Sequence, residues 1–465
     1  MRKRSANEDK PQNGKILYNA EKRQLTAVAV GDITILDPVS ARTEEGFLRI
    51  KTIINESDVA YGHLEGVITE DEGYPSHDSG DYVKLHPATA HEIKSLGIDA
   101  VSAAGNHSMD YAVGGLSATI KNLDMAGIAH AGTGRNLTEA RAPAYVTSPN
   151  GKIAFISTCS TFSPWARAGK QRHDCAGRPG INPLRYETRY IVDKQALQDL
   201  RRISEMLGFE EEKAKKANFG MFWRRMARDT ENEFHFIATD SVGTKYNKFV
   251  AGEKPDIEIV VDESDARAMI QSIKDAKRQA DWIFVALHSH ESDKERTDPP
   301  RFWRPFALAC IDAGADAIIG TGPHILRGIE IYHKRPIFYS LGNFIMQYEL
   351  IRTYPADFYE RYGLNPDYTP EEAWAEFSQN DTCGYAVDKY FWQSTCAQFS
   401  FKDDELKQIK LYPLTLGFGK RRGQRGFPLI AEADEAREII ERLQELSAPY
   451  GTEIRFKEGI GIVEV

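Results

Sequence analysis

The 465 residues, 41% hydrophobic and 27% charged, suffice for a sizeable buried core and have the composition of a soluble globular chain, which excludes disorder throughout. A formal net charge of −9 argues against a nucleic-acid binder that works by neutralising phosphates, since that needs a basic footprint. No run of about 18 apolar residues is present to cross a membrane, and five cysteines (Cys159, Cys175, Cys310, Cys383, Cys396) without CxxC spacing fit reduced thiols better than a disulfide framework, with a Cys383–Cys396 pair reserved for an exported protein.

Residues 1–24 read as a tail whose basic start has no apolar segment behind it, so it fails as a secretory signal and a cytoplasmic protein is expected. From there to about residue 345 strand and helix alternate. The runs "LTAVAVGD", "SDVAYGHLEG" and "GIDAVSAAGNH" read as strands buried on both faces, followed later by "KIAFISTCS", "DWIFVALHSH", "ADAIIGTGPH" and "PIFYSLGNF". Between them "HPATAHEIKSLG", "GGLSATIKNLDMAG", "DARAMIQSIKDAKRQA" and "FWRPFALACIDAG" have helical patterns, most closed by a glycine. The alternation predicts a layered α/β domain over 25–345. Residues 165–254 interrupt it as an insertion, in which Leu197, Leu200, Ile203 and Leu207 fall at helical spacing and "GFEEEKAKKANFGMFWRRM" reads as a solvated helix face. Insertions at the ligand end of such sheets commonly form walls of the site, so the start of this one, including "GRPGINPLR", is expected to reach it. Residues 346–465 form an α+β extension packed on the core: an aromatic, acidic segment, the strand-like "YFWQSTCAQFSFKDDELKQIKLYPLTL" and a last helix, "EADEAREIIERLQELSAPYG".

Side chains of metal-ligand type gather at the strand ends: Asp32, Glu65, Asn106 with His107, His288 with His290, and His324. In open α/β sheets the carboxyl end of the strands is where ligands bind. Any one of these residues alone is weak evidence, and five segments together are not. Oxygen and nitrogen donors without thiolate suit Mn, Fe, Zn or Mg. Glu65 can bridge two ions, and two ions about 3.5–4 Å apart activate water and stabilise the developing oxyanion without a protein nucleophile.

The blocks "AVAVGD", "HLEG", "AAGNHSMDY", "GRPGINPLR", "HSHES", "DAGADAIIGTGPHILRGIEIY" and "RPIFYSLGNF" resemble the successive motifs of the CapA family of capsule and poly-γ-glutamate synthesis proteins, whose domain belongs to the calcineurin-like metallophosphoesterase superfamily. The resemblance implies a metallophosphoesterase-like fold with one or two divalent ions. It implies Asp32 as the first-strand ligand, Glu65 as the bridging carboxylate, Asn106, His288 and His324 as further ligands, and His107 as general acid. Two positions depart from the superfamily pattern: Thr34 stands for a first-strand histidine, and Gly322 for the first histidine of the terminal motif. His290 is a replacement if the loop past its strand turns it inward. Asp110 is expected either to hydrogen-bond His107 and raise its pKa or to cap the next helix. Arg178, Arg185 and Arg327 are candidates to read an anionic substrate, small or oligomeric. The expected activity is metal-dependent hydrolysis of an amide or ester bond in a carboxylate-bearing, poly-γ-glutamate-like compound. A phosphoesterase and a non-catalytic capsule-biosynthesis component are the alternatives.

Overall fold

The computed structural model describes residues 22, 24–77, 80–218, 228–236 and 247–465; most of the expected N-terminal tail and residues 219–226 of the charged stretch lie outside them. Among the described residues two large sheets carry the architecture. The first strand, Gln24–Thr34, is apolar and buried almost throughout, so both its faces and both its edges must be covered. It runs parallel to Val59–Leu64, which leads through Ala100–Ser102 to Ala129–Ala131, and on its other edge it pairs antiparallel with Gln393–Lys402. The C-terminal hairpin Gln393–Lys402 and Glu405–Thr415 thus continues the core sheet, making it ten-stranded. The second sheet has six strands, with Trp282–His288 between Gly151–Cys159 and Ala317–Thr321, all three parallel.

The sheets pack face to face. Tyr61 stacks on Phe155 with ring centroids 5.1 Å apart, and Trp282 and Phe284 meet Phe401 and Phe399 at 5.0 and 5.6 Å. Phe155, Phe284 and Phe399 are all buried, each contributing about 1.5–3 kcal/mol by leaving water. Outside the first sheet lie the helices Glu45–Asn55 and Ala88–Ser95, through Phe47, Ile50, Ile54 and Ile93. Outside the second lie Glu263–Ala276 and Trp303–Ala313, through Met269, Ile273, Trp303 and Cys310. The result is a four-layered α/β/β/α sandwich. The last helix, Ala433–Ser447, buries Ile439, Ile440 and Leu443 in the cluster between the sheets.

One run read as a single strand is two. "PIFYSLGNF" divides into Arg335–Phe338, which pairs in the second sheet, and Asn343–Met346, which pairs with Asp32–Thr34 in the first. Residues 339–342 cross between the sheets, and Gly342 receives a hydrogen bond from the Asp32 amide at 3.1 Å. All of 339–342 is buried, so the apolar run hides the crossing. Within the insertion the helix Lys194–Met206 forms, but of its four spaced apolar residues only Leu197 is fully buried, and Ile203 and Leu207 are exposed. Its strands, Tyr186–Val192, Glu233–His235 and Lys248–Ala251, join Asp256–Val261 in a separate four-stranded sheet, so this unit runs past residue 254. All five cysteines are free. No described helix is long and apolar enough to cross a membrane.

Candidate metal centre

The site forms where the two sheets meet at the carboxyl ends of their parallel strands. From the first sheet, Asp32 and His63 are register partners on neighbouring strands. His63 and Glu65 are two residues apart and so point to the same face; His63 Nε2 lies 2.8 Å from Glu65 Oε2. Thr34 donates its hydroxyl to the Glu65 carbonyl at 3.2 Å, bracing the backbone of the shared carboxylate instead of offering a donor to an ion. The His63 ring needs Gly105: a Cβ there would stand 2.8 Å from His63 Nε2.

From the second sheet, His288 ends its strand and stacks on His63 with centroids 4.1 Å apart. His288 Nε2 lies 2.8 Å from Asn106 Oδ1 and 3.1 Å from His290 Nε2, which itself lies 3.2 Å from Asn106 Oδ1. On its far side His288 Nδ1 is 3.0 Å from the Thr321 hydroxyl, which fixes the ring. His290 sits on a loop turned inward. Its amide donates to Thr161 Oγ1 at 2.9 Å, and Glu291 accepts from the hydroxyls of Ser160, Thr161 and Ser289 at 2.6–2.8 Å. A Cβ on Gly322 would meet the Ser289 backbone at 2.8 Å, so a histidine there would collide with the loop that delivers His290. His324 adopts a left-handed backbone with φ 58°, rare for a residue with a side chain, and its Nδ1 donates to Asn343 Oδ1 at 2.9 Å. The Asn343 amide in turn donates to the carbonyls of His324 and Phe391.

Two donor sets result: Asp32, His63, Glu65 and His288, and Glu65, His290 and His324, each with donor atoms within 4.8 Å of one another and with Glu65 common to both. The fit to metal shows in what these atoms lack. Among the described residues Asp32 Oδ1, Glu65 Oε1 and His63 Nδ1 are buried without a hydrogen-bond partner, and Glu65 Oε2 has only the close approach of His63 Nε2, a cost of about 1–3 kcal/mol for each unpaired group. A divalent cation would satisfy the carboxylate oxygens and one nitrogen of the His63 ring. The charge states suit it too. Burial, with His63 nearby, pushes His288 well below its usual pKa; burial, with His324 nearby, brings His290 down to about 3. Both rings are therefore neutral, the ligand form. Burial would raise the Glu65 carboxyl, but His288, His63 and His107 outweigh it and hold it well below the carboxylate range.

His107 stands beside these sets. Its Nε2 is 3.6 Å from Glu65 Oε1 and its Nδ1 2.8 Å from Asp110 Oδ2, which also accepts from the Val83 amide at 2.7 Å. The helix that follows begins with Tyr111 as N-cap and has no side-chain cap, so the Asp110 carboxylate serves the ring. Burial opposes the imidazolium, but Asp110, Glu65 and Asp81 prevail and raise its pKa to about 10.

Residues 26–348 match the family model of the bacterial capsule synthesis protein PGA_cap. The chain belongs to this family. A y4sH protein of Sinorhizobium fredii is 32% identical over 95% of this chain and 93% of its own. The PGA biosynthesis protein CapA of Bacillus subtilis is 25% identical over 71% of this chain and 65% of its own. A probable polyglutamine synthesis accessory protein of Mycobacterium tuberculosis is 25% identical over 63% and 57%. NAD nucleotidase of Haemophilus influenzae aligns over 91% of this chain at 10% identity with a TM-score of 0.30, too low to define a shared fold.

Within this capsule-synthesis domain the three expected arginines have separate fates. Arg185 forks onto Asp265 at 2.6 and 2.9 Å, tying the insertion to the helix Glu263–Ala276. Arg327 is 1% exposed and donates to the carbonyls of Glu291 and Arg296 at 2.9 and 3.0 Å, holding the His290 loop. Arg178 is exposed and donates to the Arg167 carbonyl. The start of the insertion does approach the centre: Gly180–Ile181 lies against the Asn106–Met109 turn. Sequence reasoning passed over His63, Glu291 and Asn343. His63 had a usable signal, its two-residue spacing from Glu65 at a strand end.

Proposed function

We propose that the chain is a divalent-metal-dependent hydrolase that cleaves an amide or ester bond of a carboxylate-bearing, poly-γ-glutamate-like substrate. One observation carries the reading: two buried donor sets share Glu65, whose carboxylate oxygens, like Asp32 Oδ1, have no hydrogen-bond donor among the described residues, and a hydrogen-bonded imidazole stands at their edge. Bound ions at such a site supply an activated water and positive charge against the developing oxyanion. The protein's own groups do the rest. Asp32, His63 and His288 would hold one ion and His290 and His324 a second, with Glu65 common to both sets and Asn106 placed to add its amide oxygen. His107, protonated and oriented by Asp110, gives the proton on Nε2 to the leaving group. Arg178, with its guanidinium only partly engaged, is the arginine offered to the anionic substrate. The B. subtilis relative's printed name, a PGA biosynthesis protein, supports the choice of substrate class.

The test is metal analysis of the purified protein followed by assays of the Mn-loaded form on a γ-glutamyl peptide and on a phosphodiester chromogen. Turnover of the peptide is expected. Turnover of the chromogen alone would replace the bond class with a phosphoester. The M. tuberculosis relative's printed name, an accessory protein, supports a second reading as a non-catalytic biosynthesis component. Failure to retain any divalent metal would favour it.

A further inference from the structure

Tyr348 follows the strand Asn343–Met346, which pairs with the metal-site end of the first strand. Its ring centroid lies 5.8 Å from that of His324 and 6.4 Å from that of His107, and its other side is backed by Tyr385, stacked at 6.1 Å and 14°. Tyr385 is in turn held edge-on by Phe391 at 4.8 Å. Tyr348 is 3% exposed, and its hydroxyl makes no hydrogen bond. The side chain nearest to being a partner is Thr34, which gives its own proton to the Glu65 carbonyl and makes no hydrogen bond of good geometry with the phenol. A buried phenol without a partner, held beside His324 and His107 by an aromatic stack, is costly unless something else occupies it.

We propose that Tyr348 is a catalytic hydrogen-bond donor of this site, its hydroxyl holding the oxygen on which negative charge develops at the substrate's attacked centre. The inference rests on the metal-site reading above and adds to it the group that meets the substrate opposite His107. A neutral phenol carries a proton to give, so we assign Tyr348 the role of donor, and the metal content of its variant tests this against a role as ligand. A preorganised donor of this kind acts where charge appears, in a site from which water is excluded.

Inorganic phosphate, tetrahedral and anionic, is the probe. Titrated calorimetrically into the Mn-loaded full chain, it is expected to bind the parent, and in Tyr348→Phe its Kd is expected to rise about tenfold or more, the usual loss for a hydrogen bond to a charged group. Mn content should stay equal. The metal-free variant should melt at the same temperature or higher, because the substitution removes only an unpaired buried oxygen. An unchanged phosphate Kd, or no phosphate binding by the loaded parent, overturns the proposal. A fall in Mn content also overturns it and makes Tyr348 a ligand. A parent that holds no Mn fails at the first step, and the failure then lies with the metal reading.

Discussion

The two halves of the metal centre are built differently. On the first-sheet side Asp32 and His63 are register partners and Glu65 directly continues a strand, so the backbone ladder, braced by the Thr34 hydroxyl, sets their spacing. On the second-sheet side His290 and His324 lie past their strands and are set by side chains: Glu291 and Arg327 for one loop, Asn343 for the other. Each half has a histidine beside its carboxylates that the strand ends alone do not announce, His63 on the adjacent strand and His290 on the adjoining loop. In both cases a glycine clears the space, Gly105 for the ring and Gly322 for the loop. A ladder-held donor tolerates little displacement; a loop-held donor depends on its supports.

Substitutions can break or sharpen this contrast, ordered by expected loss of bound metal. Glu65→Gln should remove nearly all metal, because both sets share that carboxylate, and should cost more than Asp32→Asn; equal content in the two variants and the parent, by elemental analysis, would sink the assignment. Gly105→Ala should behave like His63→Ala and lose one of the two ions, since the new methyl would stand 2.8 Å from His63 Nε2 and push the ring aside. If Gly105→Ala kept both ions in a metal titration, the ladder-held half would be more yielding than we describe. Glu291→Gln should weaken only the second site, by about 10–100-fold in affinity, the usual effect of disturbing a ligand's support. Uniform weakening of both sites would erase the distinction between the halves. His107→Asn should change metal content least of all while lowering kcat by about 10²–10⁴-fold with little effect on substrate binding. Metal loss that excess Mn restores would make His107 a ligand.

Much of the site was legible because Asp32, Glu65, Asn106, His288 and His324 each punctuate an apolar run, and a polar residue at the end of a buried strand stands out. His63 was not noticed because it lies inside such a run, where a single histidine looks structural; only its two-residue spacing from Glu65 marks the shared face. The same spacing relates His288 and His290. The arginines show the opposite limit. Residue type suggests anion recognition, but nothing local tells that Arg185 already meets Asp265, 80 positions along the chain. The layered α/β core followed from the alternation of elements. The split of "PIFYSLGNF" between two sheets did not, because hydropathy reports that a residue is buried and not which sheet it joins.

The antiparallel pairing of Gln24–Thr34 with Gln393–Lys402 has a consequence for synthesis. The strand that bears Asp32 finds Val59–Leu64 soon after both are made, and then keeps the Gln24–Ala29 part of its other edge open until the hairpin near residue 400 has been made. At about 5–20 residues per second, that wait lasts on the order of tens of seconds, during which an apolar strand edge is available to neighbouring chains. The edge is therefore closed in two steps, its Asp32 end by Asn343–Met346 and the rest, from Gln24 to Ala29, only by the hairpin.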